Sequence, residues 1–442
     1  MITAILAGLI VLGEWTGLAR GIFGVPIYAG LLDVALLCLA GVIALGFIRR
    51  REMPRLSILM VLIGAYLLLA LIEILNPNVP SLRAGVEGYR KTAFTMLAFF
   101  VVVLSGELDA GRFFRIVALG SVPTFIWAGR QFLSPLPVEL NIISSAGTSP
   151  ISFHSGQVLR AFAPTAGPFH LGILGGAILI IALVLAASRG SRWLLVAAVA
   201  GLGLGLSITR ANMVGLIAAC VVLAIAASPM RERLRTAVLA AGPVGVALVS
   251  VLFAVGALAQ NPGASPGAPL PGSSTPPHGT TVGNIITTIE DPIADKSLQF
   301  RFSYWQDFAA AVRERPLIGY GTSAAADGFD HFYAGTGSSN FEPHSLYFKA
   351  ALELGLGGLA LLLAIFASLI AAIVRGWRFD RVTAPIALGT LTLVAVSGVT
   401  GPMLDAYPVN LLFWSICGWA AVAARTVGSR RTGPPELQSA AA

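Results

Sequence analysis

The stretch Pro168–Ala187, PFHLGILGGAILIIALVLAA, decides the fold. It carries one histidine and no Asp, Glu, Lys or Arg. A helix of about 20 apolar residues crosses the ~30 Å hydrocarbon core of a bilayer. Arg189 and Arg192 follow in a very short loop, and a second apolar run starts directly after them. Apolar runs joined by short basic loops mark a polytopic membrane protein whose cytoplasmic loops hold Lys and Arg.

The rest of the chain repeats this pattern. Of 442 residues, 56% are hydrophobic and 11% charged, where a soluble domain carries about 25% charged residues. The mean hydropathy is +0.82. An all-α membrane fold with about twelve transmembrane helices is expected. The candidate spans fall at roughly 2–19, 27–48, 56–75, 91–105, 113–133, 168–187, 192–207, 211–228, 236–259, 345–374, 382–400 and 408–425. No basic region precedes the first run and Glu14 interrupts it, so it reads as a retained span rather than a cleaved signal.

Orientation follows from the arginines. Arg49, Arg50, Arg51 and Arg55 share one loop. Placing that loop in the cytoplasm puts Arg112 and Arg115, Arg189 and Arg192, Arg231, Arg233 and Arg235, and Arg375, Arg378 and Arg381 inside as well. The tail with Arg425, Arg430 and Arg431 joins them, which makes 17 of 29 basic residues. Both termini are then cytoplasmic. This asymmetry accounts for the net charge of +8. No basic stripe interleaved with aromatics is present, and no nucleic-acid partner is expected. Cys38, Cys220 and Cys417 each sit in an apolar run and read as free buried thiols.

The reading divides the chain into residues 1–259 with nine spans, an outer loop over 260–344, three spans over 345–425, and a cytoplasmic tail over 426–442. From Gln260 to about Gly283 the loop is rich in Pro, Gly, Ser and Thr, as a flexible linker is. From Ser297 to Arg315 it reads helical, with Trp305, Phe308 and Val312 on one face and Pro316 as the stop. Such a helix is expected to lie in the membrane interface.

All five histidines fall on the outer side in this topology: His154, His170, His278, His331 and His344. His344 stands out, because it sits where the loop returns to the membrane and is expected in the first turn of a helix. There the dipole favours a neutral imidazole, a ready base. The alternative is a plain interfacial histidine. Arg210 lies in a very short outer turn, against the positive-inside pattern. An arginine there either faces a polar cavity or snorkels to the interface. Arg160, Arg210 and Arg301 could line one outer cavity, with Arg301 beside Tyr304 and Trp305. Guanidinium groups grip phosphate oxygens bidentately and stay charged, which suits a pyrophosphate leaving group or an anionic headgroup. Arg83, Arg90 and Lys91 form a second outer basic group, in which Arg83 and Glu87 are spaced to pair.

No metal site is expected, since no H-x-x-x-H, C-x-x-C or tight acidic cluster occurs. Asp327, Asp330 and His331 are near one another only in a loop of small residues. No nucleotide-binding loop follows a strand.

Three segments together resemble one family. They are Arg160-Ala161-Phe162-Ala163-Pro164 through His170-Leu171-Gly172; Ser207 to Gly215; and Arg301 to Gly358. The last contains Arg315-Pro316-Leu317-Ile318-Gly319-Tyr320-Gly321, His344-Ser345-Leu346-Tyr347 and Glu353-Leu354-Gly355-Leu356-Gly357-Gly358. Their order and spacing resemble the O-antigen ligase/polymerase superfamily over roughly 155–425. The resemblance implies a GT-C-like membrane glycosyltransferase of the bacterial inner membrane, with its active face periplasmic. It implies a polyprenyl-pyrophosphate-linked glycan as donor, a glycan or lipid-glycan as acceptor, and no cofactor. His344, Arg210 and Arg301 match the family's catalytic positions. Arg160, Tyr304, Tyr347, Arg90 and Asp405 are carried as substrate-binding candidates. Thr209-Arg210-Ala211 stands where the family often has Ser-Arg-Gly, and Ser345 where it often has Asn. Protein O-glycosylation is a further option within the class. A transporter or flippase of lipid-linked glycans is the alternative outside it. That alternative would need charge deep in the spans, and only Asp33, Glu73 and Arg130 come near.

Overall fold

Inside a bilayer each backbone amide must find its partner within the protein, so apolar runs of this length become helices. A computed structural model of the chain describes residues 1–24, 27–50, 56–106, 109–145, 154–155, 158–226, 245, 296–324, 343–377, 380–405 and 407–431. The helices are α1 (Ile2–Gly13), α2 (Thr16–Phe23), α3 (Ile27–Arg50), α4 (Ile58–Ile72), α5 (Leu82–Thr92), α6 (Leu97–Ser105), α7 (Ala110–Gly120), α8 (Val122–Leu133), α9 (Pro137–Ser145), α10 (Pro168–Arg189), α11 (Trp193–Leu206), α12 (Arg210–Ala226), α13 (Lys296–Glu314), α14 (Leu346–Gly376), α15 (Thr383–Ser397) and α16 (Val409–Arg431). One two-residue antiparallel pair, His154–Ser155 with Val158–Leu159, is the sole strand pairing among the described residues.

Five helices among the described residues are long and apolar enough to cross a membrane: Tyr28–Arg49, Ile58–Leu75, Leu82–Ser105, Pro168–Arg189 and Leu346–Gly376. Four shorter apolar helices lie at Trp193–Leu206, Arg210–Ala226, Thr383–Ser397 and Val409–Arg425. The expected span at 236–259, the linker and the greater part of the outer loop lie outside the described residues. α10 is the central helix. In its apolar window 89% of residues are buried inside the protein, against 22% for Tyr28–Arg49, which leaves that helix to face lipid. Around α10 pack α11, α12 and α15.

Two expected spans are broken. The run 2–19 forms α1 and α2, bent by 55° at Glu14–Trp15. The run 113–133 forms α7 and α8, parted at Ser121. The two breaks meet. The fully buried Glu14 carboxyl lies 2.5 Å from the hydroxyl oxygens of Ser121 and of Thr124. The Ser121 hydroxyl also lies 2.9 Å from the Val117 carbonyl. Satisfied polar groups let a carboxyl sit where an apolar side chain was expected.

A third break has a different cause. α14 contains Gly355 at φ 69°, ψ −175°, a conformation essentially restricted to glycine. A break orphans carbonyls before it and amides after it. The loop after α13 supplies both. Tyr320 and Gly321 donate their amides to the carbonyls of Leu352 and Glu353, each at 2.9 Å, and Leu356 donates to the Pro316 carbonyl at 2.7 Å. The same loop reaches α4, where Thr322 donates its hydroxyl to the Ala70 carbonyl at 2.7 Å and its amide to the Glu73 carbonyl at 3.2 Å. Thus the segments Arg315–Gly321 and Glu353–Gly358, far apart in sequence, are two halves of one junction.

α13 ends at Glu314, as Pro316 predicts. Part of its apolar face packs on protein. Phe308 is fully buried and packs with Ala311, Tyr320 and Leu352, with Trp305, Val312 and Phe348 around them. The protein itself covers the stripe that the sequence assigns to lipid.

Candidate functional site

His344 precedes α14 rather than sitting in its first turn. Ser345 is the N-cap, its hydroxyl accepting from the Phe348 amide at 3.4 Å. His344 is exposed, at φ 42°, a left-handed conformation uncommon outside glycine. The expected location fails because Ser345, a strong cap former, takes the boundary one residue later. His344 therefore lies just outside the helix and not within its first turn.

Two contacts hold the backbone on either side of His344. On the near side, the Trp305 indole of α13 donates to the Pro343 carbonyl at 3.3 Å, and its ring packs on Phe348 at 5.6 Å. Arg301 and Tyr304 lie on this same helix; their side chains fall outside what the structure describes. On the far side, the Leu346 amide donates to the Gly398 carbonyl at 2.8 Å. One residue back, the Ser397 hydroxyl donates to the Ala211 carbonyl at 3.1 Å, directly after Arg210. The Ser397–Gly398 corner thus joins the start of α12 to the start of α14. Gly215 permits this approach, since a Cβ there would meet Ser397 Oγ at 2.2 Å. Three sequence-distant candidates, Arg210, Arg301 and His344, lie on elements tied together by these bonds.

Arg210 is the first residue of α12 and is exposed. The turn before it bends at Ile208, with φ 50°. Arg160 braces that turn. Its Nε donates to the Ser207 carbonyl at 2.8 Å and its Nη2 to the Thr209 hydroxyl at 2.9 Å, while the Ala161 amide donates to the Leu206 carbonyl at 3.0 Å. The buried Gln131 side chain accepts from the Phe162 and Ala163 amides at 2.8 and 2.9 Å. This geometry assigns Arg160 to the turn that presents Arg210. Arg160→Ala is expected to lower turnover about 100-fold, because misplacement by ~1 Å carries such a cost. Arg160→Lys should recover only part, since an ammonium lacks the planar fork. Turnover by the purified variants checks both.

The remaining candidates are engaged elsewhere. Arg90 pairs with Asp33. The expected Arg83–Glu87 pair is replaced by Lys91–Glu87 at 3.1 Å, because Lys91 is the i+4 partner on the C-terminal side of the carboxylate. The Tyr347 hydroxyl donates to the Ala395 carbonyl at 2.8 Å. Asp405, at the end of a 3-10 turn, accepts from Lys349. His170 keeps Nδ1 buried and without a hydrogen bond among the described residues, with Asp405 and Lys91 as the charges acting on it. Of the charges a transport path would use, Asp33 pairs with Arg90, Arg130 with Glu139, and Glu73 accepts from Asn76 at 2.7 Å. Among the described residues no group of His, Cys, Asp and Glu could hold a metal ion. The loop with Asp327, Asp330 and His331, and His278, lie outside the described residues. Sequence reasoning missed Lys349, Gln131 and Ser397. Each acts on a backbone or side-chain atom far away in the chain, and no local pattern marks it.

Apolar helices arranged around a central spanning helix, with polar candidates at their ends, define a multi-helix membrane protein. Residues 195–363 match the family model described as O-Antigen ligase, so this stretch, less than half of the chain, is similar to the O-antigen ligase/polymerase superfamily. The matched stretch contains Arg210, Arg301, Tyr304, His344 and Tyr347 and excludes Arg90, Arg160 and Asp405. No curated protein matches the chain. The match supports a function of the O-antigen ligase/polymerase type in general.

Proposed function

We propose that the protein moves a glycan from a polyprenyl-pyrophosphate carrier to an acceptor hydroxyl at the periplasmic face of the bacterial inner membrane, as an O-antigen ligase or a surface polysaccharide polymerase. The observation that carries this reading is the bonded corner that joins the Arg210 end of α12 to the His344 end of α14. A base and a phosphate-binding cation are needed on opposite sides of one reacting carbon.

In this reading an imidazole nitrogen of His344 takes the proton of the acceptor hydroxyl. The acceptor oxygen attacks the anomeric carbon of the donor. The bond from that carbon to the pyrophosphate oxygen breaks, and its electron pair leaves with the carrier pyrophosphate. Arg210 and Arg301 hold the departing charge. One displacement from the far face inverts the anomeric centre. The carbon–pyrophosphate bond supplies the driving force in place of a nucleotide, and in this reading Arg210 and Arg301 take the charge that a metal ion would otherwise take.

The test uses the full chain purified in detergent, with a defined carrier-linked oligosaccharide and candidate acceptors. The expected result is one carrier pyrophosphate released per glycan transferred, undiminished by a chelator, with inverted anomeric configuration by NMR. Retention of configuration would overturn the mechanism. Absence of transfer with every donor would overturn the reading, since detergent has no compartments in which a pure transporter could act.

A further inference from the structure

Lys349 lies on α14, one turn beyond the Ser345 cap, and is only 8% exposed. A lysine almost never sits so deep without a partner. Its ammonium donates to Asp405 Oδ2 and stands 3.8 Å from Glu353 Oε1 on the same helix. Tyr66 of α4 lies within electrostatic reach of all three groups. Two carboxylates thus face the Lys349 ammonium.

The location gives this pair a consequence. Asp405 ends the 3-10 turn Met403–Asp405, which follows the Ser397–Gly398 corner by a few residues. That corner holds α12 at Ala211 and α14 at Leu346. Its hydrogen bonds fix only one end of the connection. The Lys349–Asp405 pair closes the other end, on the helix that begins just after His344. Asp405 Oδ1 is buried and makes no hydrogen bond among the described residues. Nothing but Lys349 holds this carboxylate by a side-chain bond there.

We infer that Lys349 is a positioning residue, which clasps Asp405 and thereby fixes His344 relative to Arg210. This inference rests on the glycan-transfer reading above. It separates Asp405 from substrate contact: the carboxylate acts through Lys349 and the loop.

The experiment is a double-mutant cycle on the purified full chain, using Lys349→Met, Asp405→Asn and their combination. Turnover and thermal melting are read with carrier-linked donor. Lys349→Met is expected to lower kcat at least ~30-fold, as displaced reacting groups do, with KM for donor and acceptor within about twofold of wild type. Lys349→Arg should restore at least about a third of kcat. The double variant should be no slower than Asp405→Asn alone. Wild-type kcat in Lys349→Met overturns the clasp. So do losses that multiply in the double variant, since they mean that Asp405 touches substrate independently. If Lys349→Met fails to fold, its recovery by Asp405→Asn supports the clasp and its persistence counts against it. A wild-type chain inactive with all donors condemns the functional reading instead. Coupled or independent melting shifts across the same four proteins then decide the clasp.

Discussion

His344→Ala should abolish measurable glycan transfer while leaving the protein inserted and folded. A positioned general base contributes about 10²–10⁴-fold in rate, so kcat should fall by that amount, with melting in detergent near the wild-type value. The argument is geometric. His344 is exposed, just outside the capped end of α14, with its backbone at φ 42°. Left-handed backbone costs roughly 1–2 kcal/mol for a residue with a Cβ. It persists because the neighbours over-determine it: Trp305 holds Pro343, Ser345 caps the helix, and Leu346 is bonded to Gly398. Strain maintained at an exposed histidine is what a site would keep and a mere surface position would lose. Removing the imidazole should therefore cost activity and little stability. Transfer by the alanine variant within about tenfold of wild type would sink the assignment of His344 as base.

Gly355→Ala should be strongly destabilising for a single added methyl group. Two costs combine. Gly355 has φ 69° and ψ −175°, which costs a Cβ-bearing residue about 1–3 kcal/mol. A Cβ there would also meet the Leu317 carbonyl oxygen at 2.3 Å, and that oxygen belongs to backbone that cannot rotate away. Overpacking of this kind costs a further ~1–3 kcal/mol. The expected loss is about 2–6 kcal/mol, enough to deplete folded protein in a detergent melt. Gly357→Ala is the internal control. Two residues along the same helix, its Cβ would meet Leu317 O at an ordinary 3.5 Å. Ala is a better helix former than Gly by up to ~1 kcal/mol, so that variant should melt at or above wild type. Equal behaviour of the two would mean that the break in α14 is not imposed by Gly355.

The long helices were legible because lipid imposes one rule on sequence and backbone alike. The expected runs 27–48 and 168–187 became Ile27–Arg50 and Pro168–Arg189, with arginines at their ends. The break at Gly355 also left a trace, in a segment with three glycines among Glu353–Gly358. The break at Glu14 left half of one. The carboxyl was visible as an interruption, but its partners Ser121 and Thr124 are over a hundred residues away. The apolar stripe of α13 makes a related point. An apolar stripe states that something must cover it, and does not say whether lipid or protein does. Phe348 and Leu352 answered that here. For the proposed site, charge and sidedness named Arg210, Arg301 and His344 as candidates. What orients them was not, since Arg160 grips a backbone carbonyl and Lys349 a carboxylate across the fold. Hydrogen bonds to backbone carry no sequence signature at the acceptor.

The junction between the Pro316–Thr322 loop and the broken helix α14 has one more consequence. It pins the chain just before residue 325, against α4 and α14. The Trp305 bond and the Ser345 cap pin it again from residue 343 onward. The two posts rest on separate sets of bonds, so a substitution that loosens one leaves the other held, and their effects on stability should add as those of well-separated sites do.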